Sequence, residues 1–360
     1  MHGKCQIDIP DLLAAITALS HEFGSMDYVC AGGGNTSAKN ETTLWAKPSG
    51  TTLAGLTPEV FVAIDRAALG ELYTIETPAD PHAREMLVKD KMAAAVLPGC
   101  SGRASVEAPL HDSLSATFVV HTHPALVNGM TCAKDGKAVA QRLFPEALWL
   151  DYIDPGYILS IRGRHEIQAY KQRYGIEPAV IFLKNHGVFV AGDTADTVRV
   201  IHRHLIQTLK TAYQQAGVTL TCTVNEANVS AESLTRIRHA FQDDSVAVAA
   251  RALFPVAVGP ISPDHIVYAR SYPLAGKPSV DTVSAYHRQH GYNPKILIWD
   301  QQVYAVDETE RKAALALQLA HDGAWVEQLA QASGGIEYMT DSARIFIENW
   351  EVESYRSQQM

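Results

Sequence analysis

Cysteine is scarce in this sequence: five residues in 360, Cys5, Cys30, Cys100, Cys132 and Cys222. They are odd in number, far apart and never in a C-x-x-C spacing, which argues against a disulfide framework and a cysteine-based zinc site. Reduced, mostly buried thiols are the expectation. No run of five or more basic residues offsets the formal net charge of -9, so nucleic-acid phosphates and anionic membranes are repelled. No window approaches the roughly 18 uncharged apolar residues of a membrane-spanning helix. Met1 to Pro10, carrying Lys4 and Asp8, lacks the apolar core of a signal peptide. A cytoplasmic protein without a membrane or nucleic-acid partner is expected. No G-x-x-x-x-G-K-[ST] is present and no G-x-G-x-x-G follows a strand, so the nucleotide-binding readings fail.

What is present is a chain with 47% hydrophobic and 19% charged residues, a composition that excludes disorder, collagen and coiled coil. Its length exceeds what one ordinary core spans, so two domains are expected. Leu12, Leu13, Ile16, Leu19 and Phe23 recur at helical spacing after Pro10-Asp11 and stop at Gly24. Thr42 to Ala46 reads as a strand between the loops 32–37 and 47–50, and Val60, Val62 and Ile64 alternate as in another. Signals between Gly70 and Gly102 are weak. Pro109 to Leu114 reads as a helix, and Ala116 to Val120 as a buried strand that delivers His121-Thr122-His123-Pro124. Ala179 to Leu183 and Val188 to Ala191 flank Lys184-Asn185-His186-Gly187, and Ala195 to Ala216 follows as a long helix with Val198, Ile201, Leu205 and Leu209 on one face. Strands mixed with helices predict an α/β chain.

A polar stretch, Thr221 to Ser233, separates this region from the rest, dividing the chain into 1–222 and 223–360. Residues 178–194 match 294–309 if Gly187 is skipped, with a helix following in both and Gln301 and Gln302 in place of Asn185 and His186. Two readings stand: coincidence between two strand-turn-strand-helix units, or a degenerate repeat whose second copy is structural and metal-free.

His121 and His123 are two apart at a strand end, where side chains alternate, so both face one way and can converge on one ion. His202 and His204 have the same spacing within a helical pattern, where it corresponds to about 200° of rotation, so they diverge. His186, at another strand end beside Gly187, is the best third ligand. Three histidines leave coordination positions open, as at a catalytic zinc; surface or core histidines are the alternative. His287 and His290 share an i,i+3 spacing with nothing acidic nearby and are expected on a solvated face. Glu107, just before the 109–114 helix, can ligate a cation or act as acid and base, or simply favour a helix N-terminus. The glycine, hydroxyl and lysine residues of 34–37 and 47–50 can cradle a phosphate, or be ordinary loops.

Taken in order, Gly-Gly-Gly-Asn-Thr-Ser at 32–37, Lys-Pro-Ser-Gly at 47–50, Ser-Val-Glu-Ala-Pro-Leu-His at 105–111, His-Thr-His-Pro at 121–124 and Lys-Asn-His-Gly at 184–187 resemble the class II aldolase/adducin superfamily over about residues 10–215. The resemblance is greatest to the aldolase half of fused rhamnulose-phosphate aldolase/alcohol dehydrogenase proteins. It implies a three-layer α/β/α sandwich around a mixed sheet, followed here by a smaller C-terminal α+β domain. It also implies a homo-oligomer, usually a tetramer, and a divalent metal, Zn2+ above all, on His121, His123 and His186. Glu107 would be the catalytic acid/base, and Gly34, Asn35, Ser49, Gly50 and Ser105 would surround the phosphate of a small phosphorylated sugar. The implied reaction is reversible cleavage of a ketose 1-phosphate to dihydroxyacetone phosphate and an aldehyde, with the ion as Lewis acid. Relatives include decarboxylases, dehydratases and 4-epimerases, and adducin is a non-catalytic interaction protein. A zinc hydrolase is a further class, but His-Thr-His-Pro lacks the downstream Asp-His pair of a metallo-β-lactamase site. Departures are Pro48, Ala104 and a short interval between Glu107 and His121. Tyr152 and Tyr157 are candidates for the interface proton donor of some relatives.

Overall fold

A computed structural model describes residues 7–100 and 102–350. The described residues form two compact units, one running to Pro124 and resuming over Ala140–Thr208, the other comprising Ala125–Val139 and the residues from Leu209 onward. Cys5 lies outside the described residues; Cys30, Cys100, Cys132 and Cys222 are all unbridged, Cys30 and Cys132 buried and the other two half-buried. Among the described residues no helix is long and apolar enough to cross a membrane.

The first unit is built on a seven-stranded mixed sheet of β1 (Asn35–Lys39), β2 (Thr43–Ala46), β3 (Val62–Asp65), β4 (Phe118–Thr122), β5 (Leu148–Leu150), β6 (Val180–Leu183) and β7 (Gly187–Gly192). Its order is β3-β2-β1-β4-β7-β6-β5, all neighbours antiparallel except β5 and β6. Successive side chains of a strand point to opposite faces, and β1 records what covers each. Thr36 bonds Ser20 of the helix Ile9–Glu22 at 2.7 Å, whereas Ser37 bonds His111 of the helix Ala108–Ser113 at 2.8 Å. Helices thus lie on both faces, giving the three layers. Leu110, Leu159 and Ile167 pack with Val119, Ile181 and Phe189 in one core. The helix Pro81–Ala95, which the weak 70–102 signals did not reveal, lays Val88 and Met92 against Leu44 and Ile64.

The second unit carries a four-stranded sheet of β8 (Ala247–Ala252), β9 (Leu274–Ala275), β10 (Ile296–Trp299) and β11 (Gln302–Asp307), ordered β8-β11-β10-β9. Two antiparallel pairings and then a parallel one, in that order, repeat what β4-β7-β6-β5 does in the first unit. Both hairpins are entered from a helix closed by a left-handed glycine, Gly175 or Gly291, and left through a helix of 21 residues, Ala195–Gln215 or Glu310–Ala330. The likeness between the two halves of the chain thus extends beyond the hairpin to four strands of the same order and direction.

The register corrects the alignment that skips Gly187. Leu183 pairs with Gly187 as Trp299 pairs with Gln302, so Gln302 stands where Gly187 does and the missing residue belongs to the turn. That turn is the two-residue Asp300-Gln301, with φ of 51° and 56°, the left-handed pair of a tight hairpin. Counting from this register, Ala250, opposite Tyr304, replaces His121, opposite Phe189, and Ala252 replaces His123.

Two buried histidines make the fold acid-sensitive. Burial pushes His111 down to about 3 and His202 down to about 4. Their native pKa values lie below the unfolded value of about 6.5, so the unfolded chain binds more protons as pH falls. Their stabilising contribution is complete above that value and shrinks below it, until the pH passes the folded pKa values. At pH 5 the loss amounts to about 2 kcal/mol for each. Urea midpoints measured from pH 7 to 5 should fall accordingly, and a flat profile would show that neither histidine is buried neutral.

Candidate metal centre

His121 is the penultimate residue of β4 and His123 follows the strand end, so the alternation of β structure turns both rings the same way. The β6–β7 hairpin brings His186 to the same place, with Asn185 at φ 52° making the turn. The His121 Nε2 atom lies 2.9 Å from His123 Nε2 and 3.4 Å from His186 Nε2. Among the described residues these three form the one group of histidine, cysteine or acidic side chains able to hold a metal ion. The other H-x-H pair behaves as its helical setting predicts: His202 is buried against Phe23 and His204 is exposed. His290 departs from the expected solvated face, since its ring stacks on Tyr272 while His287 stays exposed.

The donor set fits a divalent ion. His121 Nδ1 bonds the Val188 carbonyl at 3.0 Å, which places the proton on Nδ1 and leaves a lone pair on Nε2. Burial pushes His121 down to about 3, so its ring is neutral near pH 7. The lone pair on Nε2 faces Nε2 of both other histidines, each of which presents a lone pair or an N–H according to its tautomer. Nitrogens bound to a tetrahedral zinc at about 2.0–2.1 Å stand about 3.3–3.4 Å apart, which the His121–His186 spacing matches, whereas the 2.9 Å between His121 and His123 is shorter and would have to open by a few tenths of an ångström to admit the ion. Phe189 fixes the His121 plane, stacked at 4.0 Å and 12°. Neither the Val188 carbonyl nor Phe189 carries a sequence signal of such a role.

Glu107 Oε1 lies 3.5 Å from His121 Nε2 and 3.7 Å from His186 Nε2. Its other oxygen accepts from the Asn35 amide at 3.0 Å, a bond that favours the ionised carboxylate. Asn35 also donates to Ser105 Oγ, and β1 holds it opposite His121 in the ladder. Pro48 bridges to Ala104 and Ser49 N donates to Arg103 O at 2.8 Å, bringing the loops 47–50 and 103–105 side by side. Gly34 and Gly50 have φ of 70° and 82°, and a Cβ on Gly34 would come within 2.8 Å of His121 O. Buried Lys47 belongs to the same loop, its Nζ 3.4 Å from Gly32 O. Of the tyrosine candidates, Tyr157 gives its hydroxyl to Leu72 O at 3.0 Å; Tyr152 is half-buried, beside Asp154.

Gly187 sets the closeness of the two histidine-bearing turns. A Cβ there would collide with Thr122 O and lie 2.6 Å from His123 Cδ2. Gly187→Ala is expected to push the His123 ring off its position and weaken metal retention by more than about tenfold. Metal content of the folded variant checks this; full retention would separate the glycine from the site.

Residues 14–213 match the model of the family described as Class II Aldolase and Adducin N-terminal domain. The "Uncharacterized oxidoreductase YuxG" of Bacillus subtilis (strain 168) is 26% identical over 200 residues, 52% of this chain and 28% of that protein. The chain therefore matches less than a third of that relative's length. Similar solved structures include the N-terminal class II aldolase domain of a conserved protein from Thermoplasma acidophilum, 23% identical with a TM-score of 0.48, covering 59% of this chain and 96% of that one. L-fuculose-1-phosphate aldolase from Thermus thermophilus is 17% identical with a TM-score of 0.39, covering 58% and 96%. YgbL from Klebsiella pneumoniae, a "putative aldolase/epimerase/decarboxylase" by its description, is 15% identical with a TM-score of 0.41, covering 58% and 91%.

Proposed function

The chain belongs to the class II aldolase and adducin family, and from that premise we propose that it is a metal-dependent sugar-phosphate aldolase, cleaving a ketose 1-phosphate to dihydroxyacetone phosphate and an aldehyde. The observation that carries the reading is the convergence of three imidazole nitrogens beside a buried carboxylate. A non-catalytic, adducin-like role requires no such set.

His121, His123 and His186 would hold a divalent ion, Zn2+ being suited to three imidazoles with a position left open. When bound, the ion supplies Lewis acidity toward substrate oxygens. Glu107, steadied by Asn35, would exchange the proton at the substrate carbon that forms one end of the bond that breaks. In the direction of synthesis it removes that proton; in cleavage it returns one, balanced by the proton that the hydroxyl at the other end gives up as it becomes the aldehyde carbonyl. Gly34, Asn35, Ser49, Gly50 and Ser105 would receive the phosphate through backbone N–H groups, hydroxyls and the amide. With a net charge of -9 the overall field repels such a substrate, so attraction must be local. Catalysis is assigned to residues 1–222; residues 223–360 are assigned a structural, metal-free role, in keeping with alanines at the places of His121 and His123. Homo-oligomerisation and a cytoplasmic setting complete the reading.

The same residues would serve a decarboxylase, dehydratase or 4-epimerase of this family. Incubation with a panel of ketose 1-phosphates, read by dihydroxyacetone phosphate release, distinguishes these. Release from one panel member is expected. Turnover of phosphorylated sugars or sugar acids without it would replace the aldolase reading by one of the others.

A further inference from the structure

Strand β1 holds a helix as well as pairing with β4. Asn35, Ser37 and Lys39 alternate along it, so their side chains share one face, and all three are buried. They bond, in order, along the short helix Ala108–Ser113 and its N-cap residue Glu107. Asn35 donates to Glu107 Oε2 at 3.0 Å, Ser37 Oγ bonds His111 Nδ1 at 2.8 Å, and Lys39 Nζ donates to the carbonyls of His111 and Leu114. The lengths match: four steps of strand cover about 13 Å, and the seven from Glu107 to Leu114 cover about 10 Å of helix. The helix therefore lies along β1, with Glu107 at the Asn35 end and its last carbonyls at Lys39.

So short a helix does not hold itself in place. Packing alone would ask for apolar residues on this face of a central strand, and an ammonium that is only 4% exposed is costly unless its protons find acceptors. Lys39 gives protons to two of the carbonyls that the end of the helix leaves without backbone partners. That end is coupled to Glu107 through the backbone, since the Leu110 and His111 amides donate to Glu107 O at 2.9 and 3.1 Å. Arg66, paired with Asp112 at 2.5 Å, and Tyr73, which donates to Pro109 O at 2.7 Å, also hold the helix. The contacts from β1 differ in fixing it along the strand that carries Asn35 and pairs with His121. We propose that Ser37 and Lys39 are positioning residues for Glu107, holding its carboxylate beside His121 and His186, a role that rests on the reading of Glu107 as acid/base.

Lys39→Met and Ser37→Ala test this on the full chain loaded with Zn2+. Each should keep its zinc and its KM while kcat falls, by about 10- to 100-fold for Lys39→Met and about three- to tenfold for Ser37→Ala. The telling comparison is made in Glu107→Gln protein. There neither change should lower the residual rate by more than about a further twofold, because both act through the carboxylate already removed. Losses that multiply in that background, losses that fall on KM or zinc content, or unchanged kcat in both variants would overturn the proposal. If Lys39→Met does not fold, Ser37→Ala decides by the same comparisons. Amide hydrogen exchange needs no substrate and so separates this proposal from the aldolase reading. The Leu110 and His111 amides should exchange at least about tenfold faster in the variants than in the parent. Unchanged exchange would overturn the positioning; faster exchange in variants of a parent that turns over no ketose 1-phosphate would support it and sink the aldolase reading alone.

Discussion

Glu107→Gln should purify with its full divalent-ion content and cleave substrate about 10²- to 10⁴-fold more slowly, the usual contribution of a positioned acid/base. The substitution keeps size and shape, so Asn35 and Ser105 retain a neighbour of the same form, while the amide cannot take or return a proton. The loss belongs in kcat, because the groups assigned to the phosphate are untouched. Equal loss of metal in this variant would make Glu107 a ligand instead, an outcome that its 3.5 Å approach to His121 makes worth measuring.

His123→Ala should strip the metal. Two imidazoles in place of three leave an incomplete site, and the expected fall in affinity exceeds about 100-fold, the larger end of what loss of a mere supporting contact costs. Cleavage disappears with the ion, and His186→Ala should behave alike. His204→Ala, on an exposed helical position, provides the control and should change neither metal nor rate. Metal analysis after dialysis decides: retention by His123→Ala would remove that histidine from the site.

The chemistry was legible where it followed from local geometry. An H-x-H pair at a strand end must converge and one in a helix must diverge, and both outcomes are found. The sheet was less legible. Asn35–Lys39 lies in a Gly-, Ser- and Thr-rich stretch that reads as loop, yet it is a central strand buried along its length. Its polar side chains are accommodated because Thr36 and Ser37 find partners on opposite faces, contacts to residues far along the chain. Asn35 and Glu107 are 72 residues apart, and no local pattern predicts their bond. The likeness of the two hairpins was visible, but their alignment depended on a turn length that only the hydrogen-bonded register reveals. Nothing in the sequence around Arg270 announces a residue held at φ 66° and ψ 170°, a conformation that suits glycine.

The function proposed above makes the three histidines and Glu107 a metal-dependent lyase site. Its most direct test is dihydroxyacetone phosphate release by the full chain on its best ketose 1-phosphate, before chelation, after it, and after Zn2+ is restored. Release that stops on chelation and returns with the ion is the predicted result; release that continues unchanged in protein shown to be free of divalent metal would contradict it.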